Sequence, residues 1–303
     1  MKTDSQIMNE LASGSIHLHS LTEDESRDLK RVLLRMYSDF ASLCKKHGLV
    51  FMLGGGSCLG TIRHQGFIPW DDDLDVMMYR SDYEKLIRLC EEGAIGADYE
   101  FEAPGPNRDC KTPYLKLHRK KTVDMELIDE CTPFPKGVFL DVFPMDSAPR
   151  RVFWQRTKGA ISDLLQVICT CVLYAQYPSS KYLAFVSQNP EALKRYRIRM
   201  CIGRFFKFFP HKKWVQWFDR FNASDKKTGF ITVATGRKHY FGEIQKEEVF
   251  FPVEWKPFEG MTVPVCHDWH TYLKTLYNDY MEIPPVEKRE RHMVYRLECN
   301  VSN

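Results

Sequence analysis

Residues 53–78 read LGGGSCLGTIRHQGFIPWDDDLDVMM, and the order of turn, helix and acids within them decides what the chain builds. Gly54, Gly55, Gly56 and Ser57 form a turn, and residues 58–63 suit a short helix with Ser57 as its expected N-cap. Asp71, Asp73 and Asp75 follow at a spacing of two, with Leu74, Val76 and Met78 apolar. In extended backbone, residues two apart share a face. Asp73 and Asp75 are therefore expected to project together from a strand whose other face is buried. Two carboxylates so placed repel each other unless a cation lies between them. A hard divalent ion, Mg²⁺ or Mn²⁺, suits carboxylate and phosphate oxygens.

Two plainer readings of the acids fit less well. A solvated acidic loop would not alternate with core residues such as Leu74 and Val76, nor follow Ile68 and Trp70. A helix-loop-helix calcium site needs glycine at its sixth position and usually glutamate at its twelfth; those positions hold Val76 and Asp82. The glycine turn lets backbone amides approach an anion, and the helix N-terminus adds partial positive charge. It lacks the lysine of a P-loop and the glycine spacing of a dinucleotide fold. Strand, glycine turn, helix and acidic strand together suit a nucleotide's phosphates held over a metal.

A third acid stands in residues 137–143, GVFLDVF, a β-prone run with Asp141 inside it. A buried lone carboxylate requires a cation or a hydrogen-bonding partner, so Asp73, Asp75 and Asp141 are expected to form one metal site, with Asp71 beside them. Asp146, between Pro144 and Pro149, reads instead as a turn-capping residue at a strand end.

Elsewhere, Thr22 to Glu25 reads as a capping box opening a helix that Gly48 ends, with a strand over 49–53. A second capping box is expected from Ser81 and Glu84, and short strands around Tyr99, Leu115, Val123 and Leu140. This is an α/β (α+β) pattern, a mixed sheet with helices packed on it. The 303 residues suffice for one large domain or one domain with an insertion, and the net charge of +3 argues against a general polyanion binder. Residues 1–20 are polar, without the apolar core of a secretory signal, so the ten cysteines read as reduced thiols of a cytoplasmic protein. The apolar run 164–175 is too short to span a bilayer and reads as core.

Residues 194–221 interleave basic residues, among them Arg197, Arg204 and Lys207, with Phe205, Phe208, Phe209 and Trp214. Two readings stand: an amphipathic helical pair with a solvated basic face, or a peripheral membrane or acceptor-binding element at the inner face of the membrane. No nucleic-acid-binding module accompanies the patch.

The glycine turn, the Asp-x-Asp strand and the later lone acid resemble the nucleotidyltransferase superfamily pattern. More narrowly, LGTIRHQGFIPWDDDLDV, KLHRKKTVDME at 116–126, GVFLDVFPMD at 137–146, FEGMTVPV and YNDYMEIPPVEKRERH at 277–292 resemble the LicD family, which includes phosphocholine transferases and fukutin-related proteins. Asn278 departs from the glycine common in that last motif. The resemblance implies a nucleotidyltransferase-like catalytic core, placed at 1–150 with the N-terminal helix, and a closing motif over 251–303 packed on the core; residues 151–250 carry little of it and read from composition as a helical, basic-aromatic accessory region. It implies a CDP-activated alcohol, most often CDP-choline, as donor, a glycan or lipid-linked glycan as acceptor, and CMP as leaving group. The expected roles are metal binding for Asp71, Asp73, Asp75 and Asp141, with Asp73, Asp75 and Asp141 catalytic and Asp141 either completing the metal site or accepting the acceptor hydroxyl's proton, and donor phosphate binding for Gly55, Gly56, Ser57, Arg63, His64 and Lys116. Arg291 and His292 match the closing motif without an assigned role. The competing readings are a nucleotidyltransferase releasing pyrophosphate, a metal-dependent nucleotide-sugar glycosyltransferase, and a binding protein without activity. For the alcohol, Trp70, Tyr79, Tyr83, Phe134 and Tyr240 are available to cage a trimethylammonium group.

Overall fold

Apolar residues at helical spacing along 23–47 give the chain its first buried face. The computed structural model describes residues 11, 18, 20–285, 289 and 294–299. Helix α1 (Glu23–His47) opens on the expected capping box: Thr22 Oγ1 accepts from the Glu25 amide, and the Thr22 amide donates to Glu25 Oε2 at 2.9 Å. Gly48, in the left-handed region at φ 63°, ends it. Leu29, Leu33, Met36 and Phe40 line its buried stripe and pack into the main core.

The chain then runs β1 (Phe51–Leu53), α2 (Gly55–His64), β2 (Asp75–Tyr79), α3 (Arg80–Glu91), β3 (Tyr99–Glu102), β4 (Leu115–Arg119), β5 (Val123–Met125) and β6 (Phe139–Ser147). The sheet orders β1-β2-β6-β4-β3, with β2 and β6 parallel and the other neighbours in this path antiparallel. This mixed sheet flanked by helices is the α/β class expected.

A helical layer follows: α4 (Val152–Gln176), α5 (Ser180–Val186), α6 (Pro190–Phe206) and α7 (His211–Asn222). α6 lies on α4 so closely that a Cβ at Gly203 would stand 2.0 Å from the Cys171 carbonyl oxygen. Strand β7 (Phe230–Thr232) returns to the sheet at Asp146 and Ser147 of β6 and pairs with β8 (Gln245–Lys246), with α8 (His239–Gly242) between them. Then come α9 (Glu247–Phe250), the hairpin β9 (Glu254–Phe258) and β10 (Met261–Val265), and α10 (Trp269–Tyr277). Finally β11 (Arg296–Glu298) pairs with β5.

Three local expectations fail for physical reasons. Ser57 is not an N-cap: Gly54 caps α2, and Ser57 lies inside its first turn. The Ser81–Glu84 capping box is absent, because α3 begins at Arg80 with Tyr79 as N-cap and no side-chain cap bond. Asp146 does not cap an exposed turn. It lies inside β6, 1% exposed, and receives both Nε and Nη2 of the buried Arg80 at 2.8 and 2.7 Å. Arg80 Nη1 also donates to Asp219 of α7 at 2.8 Å, and the Ser224 amide donates to Asp146 Oδ1 at 2.9 Å. One guanidinium thus joins the sheet, α3 and the helical layer.

Removing one partner of such a buried pair strands the other charge. Asp146→Ala should therefore lower unfolding free energy by about 3–5 kcal/mol in urea denaturation. Asp24→Ala, whose ion pair with Arg27 is exposed, should change it by under about 1 kcal/mol.

Candidate active site

The parallel register of β2 and β6 sets Asp75 opposite Asp141, and β4 sets Lys116 opposite Asp141 on the other side. Backbone bonds tie these pieces to the glycine turn. The Gly54 amide donates to the Asp75 carbonyl at 3.0 Å, the Asp141 amide to the Leu74 carbonyl at 3.3 Å, and the Asp75 amide to Ser57 Oγ at 2.8 Å. Contrary to the expectation of a shared strand, Asp71 and Asp73 lie in the irregular segment before β2, and only Asp75 of the three is in the strand, which it opens. Burial, then the charges of Asp73, Asp141 and Asp71, push the Asp75 carboxyl well above the usual carboxylate range. The four acids therefore converge.

Asp141 is held by Lys116, whose Nζ donates to both carboxylate oxygens at 2.7 and 2.9 Å and lies 3.5 Å from the Phe139 ring centroid. Burial pulls the Lys116 ammonium down, but Asp141 outweighs it and leaves the pKa raised. Among the described residues, no three His, Cys, Asp or Glu side chains form a ready-made metal cage. The donor chemistry nonetheless fits Mg²⁺, which takes one or two carboxylates and completes its shell with substrate phosphates and water. Asp73 and Asp75, at the wall of open clefts, are such a pair.

Two cavities meet at that wall, because Asp73 and Asp75 line both. One, of about 480 Å³, is bounded by Gly54–Gly56, Arg237, Glu243, Tyr272 and Tyr277. The other, of about 340 Å³, is bounded by Lys116, Asp141, Tyr114, Phe139 and Phe143 with further acids. Asp71 presses on the turn, and a Cβ at Gly56 would come within 2.9 Å of its Oδ2.

The remaining expected residues divide. The Gly55 amide donates to Tyr272 Oη at 3.0 Å, and the Ser57 hydroxyl oxygen is used by Asp75, so both brace the turn. Arg63 Nη1 donates to the carbonyls of Tyr280 and Glu282 at 2.8 and 3.2 Å, latching the closing motif onto α2. His64 Nδ1 accepts from Arg63 Nε at 3.4 Å, and burial, then Arg63, lower its pKa. Arg291 and His292 lie outside the described residues. The five aromatics considered as a cage do not converge: Tyr83 and Tyr240 are fully buried, Phe134 packs on Tyr177, Tyr79 bonds Ser147, and Trp70 stands between Arg63 and Arg289. Sequence reading missed Arg237, Glu243, Tyr114, Tyr272 and Tyr277. Tyr277 stood in a recognised motif; Arg237 and Glu243 follow β7 in a segment with no motif to mark them.

The comparisons concern the same segment. Residues 48–156 match the model described as LicD/FKTN/FKRP, nucleotidyltransferase domain. Over that stretch the chain is similar to the LicD family's nucleotidyltransferase domain. It is 26% identical over 279 residues to the lipopolysaccharide cholinephosphotransferase LicD of Haemophilus influenzae, covering 88% of this chain and 96% of that protein. An uncharacterized protein of Rickettsia prowazekii is 38% identical over 125 residues, 40% of this chain and 42% of the relative.

Glu243 has a consequence for stability. Burial pushes its carboxyl up to about 7, against the opposing pull of the Lys238 amide and the charges of Lys238 and Arg237. A carboxyl raised on folding contributes stability that is full below its unfolded pKa near 4.5 and lost as pH rises through about 7. Between pH 5 and 8 the wild type should lose about 3 kcal/mol relative to Glu243→Gln in parallel urea titrations.

Proposed function

We propose that the chain is a transferase that moves a phosphocholine-type group from a CDP-activated alcohol to a glycan hydroxyl, releasing CMP. The observation that carries this reading is the aspartate wall shared by two chemically different cavities. One side offers the start of α2 and Arg237, which suit a nucleotide's phosphates. The other is lined by eight carboxylates against two lysines, with the Tyr114 and Phe143 rings 4.5 Å apart and tilted by 40°, and so favours a cationic head group over a neutral polyol. The name of the Haemophilus relative supports phosphocholine as the group and a lipopolysaccharide-like glycan as the acceptor.

In this scheme Asp73 and Asp75 hold Mg²⁺, with Asp71 beside them; the ion, when bound, supplies charge neutralisation at the donor diphosphate. The Gly56 amide and Arg237 orient the nucleotide's phosphates, and Gly55 and Ser57 keep the turn in place. The acceptor oxygen attacks the choline-bearing phosphorus from the Asp141 side as the bond to CMP breaks in line. Asp141, steadied by Lys116, receives the hydroxyl proton.

Purified protein given CDP-choline, Mg²⁺ and an oligosaccharide acceptor should form phosphocholine-glycan and CMP in equal amounts, and EDTA should stop it. Asp75→Asn should lower kcat by about a thousandfold or more, and Arg237→Ala should raise KM for the donor by about tenfold. Pyrophosphate release from CTP in place of CMP release would assign the site to nucleotidyl transfer instead.

A further inference from the structure

Helix α4 has a second face that the catalytic site does not use. Its inner side packs Ile168, Cys169 and Val172 against Trp214 and Phe218 of α7. Its outer side presents Ile161, Leu164 and Val167 as a row at three-residue spacing, with Phe153 on the same side two turns earlier, a span of about 21 Å. Phe153 is 69% exposed and Leu164 59%. Trp154 is exposed beside the stripe, and Phe205, at the end of the adjoining α6, is 72% exposed. Large apolar residues scattered singly need no explanation, but a contiguous row of them marks an interaction surface.

Charge says which. Arg150, Arg151 and Arg156 are exposed at the start of α4, and Arg204 and Lys207 at the end of α6. The fully exposed positions of α4 include no acidic residue. An apolar stripe with an aromatic end and a basic rim complements an anionic lipid interface, where rings and aliphatic side chains enter the headgroup boundary and arginines meet the phosphates. The 25-residue α4 is long and apolar enough to cross a bilayer. Its packed inner side opposes a crossing, since spanning would strip Ile168, Cys169 and Val172 from their core.

We propose that α4 lies in the plane of an anionic bilayer surface and holds the enzyme there. The stripe's centre falls on α4, outside residues 194–221, the stretch that composition singled out. It is also joined to the candidate site. The segment that brings Arg237 and Glu243 to the phosphate-side cavity carries Phe241 onto α4, with Arg156 5.7 Å from its ring centroid. Membrane binding is read without turnover, so this proposal stands or falls separately from the transferase reading.

The test is co-sedimentation of the full chain with phosphatidylcholine vesicles containing about 30% phosphatidylglycerol, against pure phosphatidylcholine, in low salt. Partitioning is expected to be about tenfold higher on the anionic vesicles and to fall in 0.5 M NaCl. Phe153→Ser/Trp154→Ser/Leu164→Ser should lower it about tenfold with an unchanged melting temperature, since all three side chains are exposed. Arg151→Glu/Arg156→Glu, which leaves the stripe intact, should also lose the anionic preference. Equal sedimentation with and without vesicles, or undiminished binding by both variants, overturns the proposal. So does concentration-dependent self-association that the serine variant abolishes without any vesicle binding, which would give the face to a second copy of the chain. A protein soluble only in detergent would make α4 a span and overturn it as well.

Discussion

Carboxylates brought together at the junction of β2 and β6 repel one another, and the surrounding structure exists to hold them there. Parallel pairing sets Asp75 against Asp141, and the lead-in adds Asp71 and Asp73. Desolvation and the neighbouring charges of Asp73, Asp141 and Asp71 both push the Asp75 carboxyl upward. Lys116 answers Asp141 with two short bonds. Strain of this kind persists in a folded protein where the rest of the molecule over-determines it, and it is characteristic of sites awaiting a charged ligand.

The over-determination is visible in the bonds around the glycine turn. Gly54 is tied to the Asp75 carbonyl, Ser57 to the Asp75 amide, and Gly55 to Tyr272 of α10. Arg63 then fastens the end of α2 to the carbonyls of Tyr280 and Glu282. Elements far apart in sequence thus clamp the turn from both sides. The Arg80–Asp146–Asp219 network fixes the helical layer to the same sheet. The helical layer in turn carries the segment with Arg237 into the cleft.

Much of this was legible because alternation and glycine placement are local signals. The spacing of Asp71, Asp73 and Asp75 among Leu74, Val76 and Met78 located β2, and the β-prone run around Asp141 located its neighbour. The α1 capping box and Gly48 were read correctly for the same reason. Errors arose where tertiary partners override local chemistry. Ser57 looks like a cap, yet its oxygen is claimed by Asp75. Asp146 looks like a turn residue until Arg80, 66 positions away, is found beside it. The apolar run after Leu164 reads as core, although one side of that helix faces outward. Arg237 and Glu243 had no pattern to betray them, because only folding of the β7–β8 connection brings them to Asp75.

If converging carboxylates are the central feature, their repulsion must be measurable in the protein without substrate. Differential scanning calorimetry of wild type and Asp75→Asn, in EDTA and in millimolar Mg²⁺, tests this most directly. The account predicts that Asp75→Asn melts higher than wild type in EDTA, because one of the converging negative charges is gone. It also predicts that Mg²⁺ raises the melting temperature of wild type and leaves the variant unmoved. A variant no more stable than wild type in EDTA, together with a wild type indifferent to Mg²⁺, would contradict it.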